Sequence, residues 1–211
     1  IEVVSGACRI TAQGGDLTDM ALPDTLQGVI TSRLDRLGAA EQMCMKTASV
    51  IGRTFGVRML KDVFPIPDAA AQVDKDLETL TRLDLTILEA PAPDASYLFK
   101  HIVTQEVAYG LLLFEQRRGL HRAIAEWLES KHEGKLEPYY ALLAHHWTQA
   151  LDRPDKTLDA AEAAGLQALG NFANEEAIQF LNQAIALANS PTRTGTRLFT
   201  MNPILTAAKR E

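Results

Sequence analysis

The sequence predicts a mainly α-helical protein with one small β element. Three observations carry that expectation. Apolar residues recur at three- and four-residue spacing along most of the chain, Leu and Ala are abundant while aromatic residues make up only 6%, and a single stretch, Leu85 to Phe99, reads as extended. Hydrophobic residues make up 46% of the 211 residues and charged residues 23%, a globular composition that excludes a disordered, collagenous or fibrous chain.

The elements follow in order. Ile1–Val4 reads as the end of a helix, and Cys8-Arg9-Ile10-Thr11 as a short strand beside a Gly14-Gly15-Asp16 turn. A first clear helix opens at Leu22-Pro23-Asp24-Thr25, where Asp24 or Thr25 caps the free N–H groups. Its apolar stripe is Leu26, Val29, Ile30, Leu34 and Leu37, and Gly38 stops it. A second helix spans about Ala39 to Ile51. A third, short one covers Val57 to Phe64, where Pro65 and Pro67 break it. A fourth runs from about Asp68 to Leu83, with Val73, Leu77, Leu80 and Leu83 in phase. Leu85–Leu88 and Tyr97–Phe99 then flank Pro91-Ala92-Pro93-Asp94 as a hairpin. Three helices followed by a hairpin is the element order of a winged helix.

Further helices are expected at His101 to about Phe114, Arg117–Ser130 and Leu136–Leu151. A last pair covers Leu158–Asn171 and Glu175–Asn189, with Pro154 near the start of its first member. With Leu158 as position 1 of the 34-residue tetratricopeptide pattern, Gly165, Ala177, Leu181 and Ala184 fall where two helices must cross closely. Ala161 and Ala168 replace the pattern's Trp and Tyr, so a generic antiparallel pair is the alternative. From Pro191 to Glu211 the periodicity is lost, and the segment reads as a linker or irregular tail.

Several chemistries are excluded. No GxxxxGK[ST] or GxGxxG phosphate loop occurs, nor HExxH or GxSxG. Cys8 and Cys44 form no CxxC, which excludes a disulfide framework or zinc ribbon and favours a reducing compartment. His145 and His146 are adjacent, so a helix points them about 100° apart, and His121 lies on another helix; no metal ligand and no catalytic residue is assigned. No apolar run approaches the ~18 residues of a membrane span, and Ile1-Glu2-Val3-Val4 is no signal peptide. The net charge of −6 argues against general nucleic-acid binding. The helix that would enter a DNA groove carries Asp68, Asp74, Asp76 and Glu78 against Lys75 and Arg82, and the hairpin turn has no Lys or Arg.

One feature points to a ligand. Tyr97-Leu98-Phe99 runs straight into a helix whose first turn holds His101. Cations are disfavoured at a helix N-terminus, whereas anions are bound there by free N–H groups, with an imidazole as an added donor. The alternative is a structural histidine closing the hairpin.

Leu22-Pro23-Asp24-Thr25-Leu26-Gln27-Gly28-Val29-Ile30, Arg33-Leu34-Asp35-Arg36-Leu37 and Ala48-Ser49-Val50-Ile51-Gly52-Arg53-Thr54-Phe55 together form a recognisable pattern. So do Phe99-Lys100-His101 with Thr104-Gln105-Glu106-Val107-Ala108-Tyr109, Arg117-Arg118 with Leu120-His121 and Ile124-Ala125, and Ala144-His145-His146-Trp147. Over about residues 1–190 the chain resembles the STAND-type AAA-like signalling ATPases, most of all those fused to class III adenylate or guanylate cyclases or to LuxR-type transcription regulators. The resemblance implies the end of an ATPase core and helical lid at 1–37, a winged helix at 38–115, a helical layer and tetratricopeptide-like hairpin at 116–190, and a tail at 191–211. It implies a cytoplasmic, non-catalytic regulatory segment whose own chain holds no cofactor, within a parent that binds ATP or ADP with Mg. It also implies that His101 touches a nucleotide phosphate there. The expected partners are the upstream nucleotide core, an output domain, and a protein or peptide on the helical repeat, without DNA or membrane. The missing initiator Met fits a piece of a longer chain. A free-standing winged-helix DNA-binding regulator with a helical interaction domain is the alternative.

Overall fold

The computed structural model describes residues 2–4, 7–9 and 24–188. The Gly14-Gly15-Asp16 turn and the tail after Pro191 lie outside them. Two short strands, β1 (Glu2–Val4) and β2 (Ala7–Arg9), pair antiparallel. The expectation of a helix end at Ile1–Val4 is thus corrected: Val3 and Val4, both β-branched, lie in a strand opposite Cys8 and Ala7. The rest is mainly helical. In order it runs α1 (Asp24–Asp35), α2 (Ala39–Ile51), β3 (Thr54–Gly56), α3 (Val57–Asp62), a 3-10 turn (Pro67–Gln72), α4 (Val73–Arg82), β4 (Thr86–Ala90), β5 (Ser96–Phe99), α5 (Ile102–Gly110), α6 (Phe114–Lys131), a 3-10 turn (Glu137–Tyr139), α7 (Tyr140–Ala150), α8 (Pro154–Gly170) and α9 (Asn174–Ala188).

The expected hairpin is present, and β3 adds a third strand to it. β5 lies in the centre, with Tyr97 opposite Phe55 of β3 and Leu88 of β4. Phe55 and Phe99 are buried and meet edge to face at 5.5 Å, which anchors the end of β5 in the core. Around this sheet, Leu34, Met45, Leu60, Leu77 and Leu80 form one hydrophobic core. The segment expected as one helix from Asp68 divides at Val73, because Pro67 starts a tighter turn that ends before α4 begins.

The break between α5 and α6 comes three residues earlier than the spacing suggests. Arg117 explains it: its guanidinium donates to the carbonyls of Leu112 (3.1 Å) and Gly110 (2.9 Å), satisfying acceptors that a finished helix leaves open. α6 then packs along α7, and α7 along α8. Ile124, Leu128, Leu143, Trp147 and Leu158 make a second core there, and Val50 of α2 reaches into it. Trp127 donates to Asp62 (2.8 Å) and Trp147 to Glu129 (3.1 Å), so both indole N–H groups are satisfied where α6 meets α3 and α7.

α8 and α9 close the array as an antiparallel pair, joined through Phe172 at φ 61°. The positions read as close-crossing in the sequence are buried: Gly165, Ala177, Leu181 and Ala184. A β-carbon at Gly165 would lie 2.7 Å from Leu181 Cγ, which is why the position holds no side chain. The apolar stripe of α1 behaves otherwise. Ile30 and Leu34 are buried, while Leu26 and Val29 are 42% and 60% exposed. Periodicity reports an apolar face but not what covers it. No helix among the described residues is long and apolar enough to cross a membrane.

Candidate functional site

β5 delivers His101 to the surface. The strand is held on both sides at its end, with Phe99 N–H donating to Arg53 O (2.9 Å) and Lys100 N–H to Leu85 O (3.1 Å). His101 is the N-cap residue of α5, with extended backbone (φ −127°, ψ 133°) and its carbonyl accepting from Thr104 N–H at 3.0 Å. Its side chain makes no capping hydrogen bond, and the residue is exposed. A histidine that closed the hairpin structurally would be buried against it.

Two further basic side chains lie around it. Lys100 pairs with Asp84, and Arg33 of α1 donates to Leu83 O at 3.0 Å. The Lys100 hydrogen bond holds the Asp84 carboxyl below the usual carboxylate range, with the charges of Lys100, His101 and Arg33 acting the same way. One carboxylate, from the α4–β4 turn, therefore stands among three basic side chains, one from α1 and two from the β5–α5 junction. With the N–H groups of the first turn of α5, this surface suits an anion.

A second cluster lies where α6 crosses α7, and sequence reasoning missed it. His121 and His146 are both 1% exposed, and His145 is exposed. His121 Nδ1 lies 2.8 Å from His146 Nδ1, and Tyr109 Oη of α5 lies 3.0 Å from His121 Nε2. His146 Nε2 is buried without a hydrogen-bond partner. Burial, then the neighbouring His145 and Arg117, pushes His121 down to about 4; burial, then His121 and His145, pushes His146 down to about 3. Both imidazoles are therefore neutral at physiological pH. A signal for this pairing was present: His121 is in phase with Ile124 and Leu128, and His146 with Leu143 and Ala150, each on the buried face of its helix.

Cys44 stands apart from both places. It is buried in α2, and burial with the nearby Asp76 and Glu41 charges pushes its thiol up to about 12, which removes it as a nucleophile.

No family model matches the chain. No solved structure matches it either. An uncharacterized protein of Rhizobium meliloti (strain 1021) is 26% identical over 181 residues, covering 81% of this chain. The chain spans 16% of that protein's length.

Proposed function

We propose that the chain is a non-catalytic regulatory segment of a STAND-type signalling ATPase. It couples the nucleotide state of an upstream P-loop core to a helical-repeat sensor and to an output domain, either a nucleotide cyclase or a transcription regulator. In this reading α2–α5 with β3–β5 is the winged helix, and α8–α9 is the first tetratricopeptide-like hairpin. The parent is cytoplasmic and binds ATP or ADP with Mg.

The observation that carries the proposal is His101: an exposed imidazole at the head of α5, fixed by the buried end of β5 and flanked by Lys100 and Arg33. His101 is the side chain offered to an anionic phosphate, while Lys100 and Arg33, held by Asp84 and by Leu83 O, add positive charge around it; nothing in the segment is assigned to the base, the sugar or Mg. A group that touches the phosphate in one domain arrangement and not in another makes that arrangement depend on the nucleotide, because a ligand shifts an equilibrium only through differential contacts. Exposed Leu26 and Val29 on α1 suit a segment that continues into a neighbouring core. Proteins of this architecture are long, and the Rhizobium relative is several times longer than the chain.

The DNA-binding reading has less support. Asp74 and Glu78 are exposed on α4, and Lys61 is committed to Asp74 at 2.6 Å, so this helix presents carboxylates where phosphates would lie. The test of the proposal is nucleotide retention in the longer protein: His101→Ala should lose bound ADP, and unchanged retention would remove the phosphate contact.

A further inference from the structure

We propose that His121, His145 and His146 form a binding site for a borderline transition-metal ion of the Zn²⁺ type at the α6–α7 crossing. The inference is independent of the ATPase reading and rests on ring geometry. The centres of the three imidazoles form a nearly equilateral triangle, with sides of 5.0 Å (His121–His146), 5.2 Å (His145–His146) and 5.5 Å (His121–His145). A metal about 2.0–2.1 Å from a ring nitrogen lies roughly 3.2 Å from that ring's centre, so two rings at a tetrahedral angle have centres about 5.2 Å apart. One potential ligand nitrogen from each ring already lies within 4.8 Å of the others. The adjacency of His145 and His146, which counts against a site when they are considered alone, is overcome by His121 of α6, whose ring completes the triangle with theirs.

The chemistry of the donor set agrees. Three imidazoles without a carboxylate favour zinc, nickel or copper over the hard ions Mg²⁺ and Ca²⁺. A metal ligand must offer a lone pair, and burial keeps His121 and His146 neutral. The two Nδ1 atoms lie 2.8 Å apart and share one proton. A metal between the Nδ1 atoms replaces that single shared proton with two coordinate bonds, after they separate by roughly half an ångström. His121 Nε2–H then donates to Tyr109 Oη, the outer hydrogen bond that orients a metal-bound histidine. Arg117, stacked 4.7 Å from the centre of the Tyr109 ring, is the nearby opposing charge, and its guanidinium is turned to the Gly110 and Leu112 carbonyls. The exposed His145 gives the ion a way in and leaves a fourth coordination position for water. A bound ion would tie α7 to α6, and through Tyr109 to α5, at the joint between the two cores.

The test is titration of the chelator-treated 211-residue chain with Co²⁺ and Zn²⁺. The expected result is one equivalent of Co²⁺ with the intense visible absorption of four-coordinate cobalt, displaced by Zn²⁺. His145→Ala removes an exposed ligand and leaves both cores intact; it should weaken Zn²⁺ binding at least tenfold with an unchanged metal-free circular dichroism spectrum. His132→Gln, which alters an imidazole stacked on Tyr139 outside the cluster, should bind as the unaltered chain does. Less than a tenth of an equivalent bound, or equal affinity in the His145→Ala variant, would overturn the proposal.

Discussion

Gly165→Ala should destabilise the protein even though it improves helix propensity. Gly165 lies inside α8, where replacing glycine by alanine gains about 0.8–1 kcal/mol in an open helix. Here the added methyl group would meet Leu181 Cγ at 2.7 Å, Cδ2 at 2.8 Å and the Leu181 backbone nitrogen at 3.4 Å. Ordinary carbon contacts lie at about 3.5–4.0 Å, so the overlap is roughly 1 Å. Leu181 is 0% exposed and so cannot swing out into solvent, and one of the contacts is to its backbone nitrogen, so α8 and α9 must move apart. Overpacking of this kind costs about 1–3 kcal/mol, and with an overlap this large against buried atoms the upper half applies, which leaves a net loss of up to about 2 kcal/mol after the propensity gain. Gly119→Ala in α6 is the matched control, since nothing lies within 4 Å of the new methyl, and it should gain about 0.5–1 kcal/mol. Urea unfolding followed by circular dichroism should therefore move the two midpoints in opposite directions. In the double variant Gly165→Ala/Leu181→Ala the losses should fall short of their sum, because the truncated Leu181 vacates the contested space. A Gly165→Ala midpoint at or above that of the unaltered chain, or strict additivity, would refute the close crossing of α8 and α9.

Two further outcomes follow from buried ionisable groups. Cys44, with its thiol pushed up to about 12, should resist a thiol-specific reagent at pH 8 in a native Cys8→Ser chain and react promptly in denaturant; fast native labelling of Cys44 would show that α2 is not packed as described. Asp76 sits on the buried stripe of α4 with Oδ2 unpartnered, and burial, with the charge of Glu41, raises its carboxyl above the usual range. A raised folded value means that the folded state binds the proton more readily, so this group favours folding at low pH and loses that contribution as pH rises through the folded value. Asp76→Asn should accordingly raise the urea midpoint at pH 7, with a gain that shrinks toward pH 4; a midpoint lowered at pH 7 would contradict this.

The α8–α9 hairpin was legible in the sequence because close helix approach imposes small residues at fixed positions, and Gly165, Ala177 and Ala184 record it directly. The β4–β5 hairpin was legible for a similar local reason, a Pro/Asp turn between extended runs. β3 was not, since Thr54–Gly56 is too short to show alternation and becomes a strand only by pairing with β5. Leu26 and Val29 look like core residues in a helical stripe, yet burial is a property of the neighbour as well as of the stripe. His101 could be singled out, with its neighbour Lys100, from its place after an aromatic strand end, whereas Arg33 joins them through a tertiary contact. The His121–His146 contact depends on the register of α6 against α7, which no local pattern encodes.

Coupling of nucleotide state to the helical array is tested by the nucleotide content of the longer protein that carries this segment, purified with and without His101→Ala. A hydrogen bond to a charged phosphate contributes about 1.5–3 kcal/mol, so its loss should speed ADP release roughly tenfold to a hundredfold. The unaltered protein should retain ADP through purification, and the variant, with an unchanged circular dichroism spectrum, should lose it. Equal retention of ADP by both proteins would contradict a role for His101 in coupling nucleotide state to the helical array.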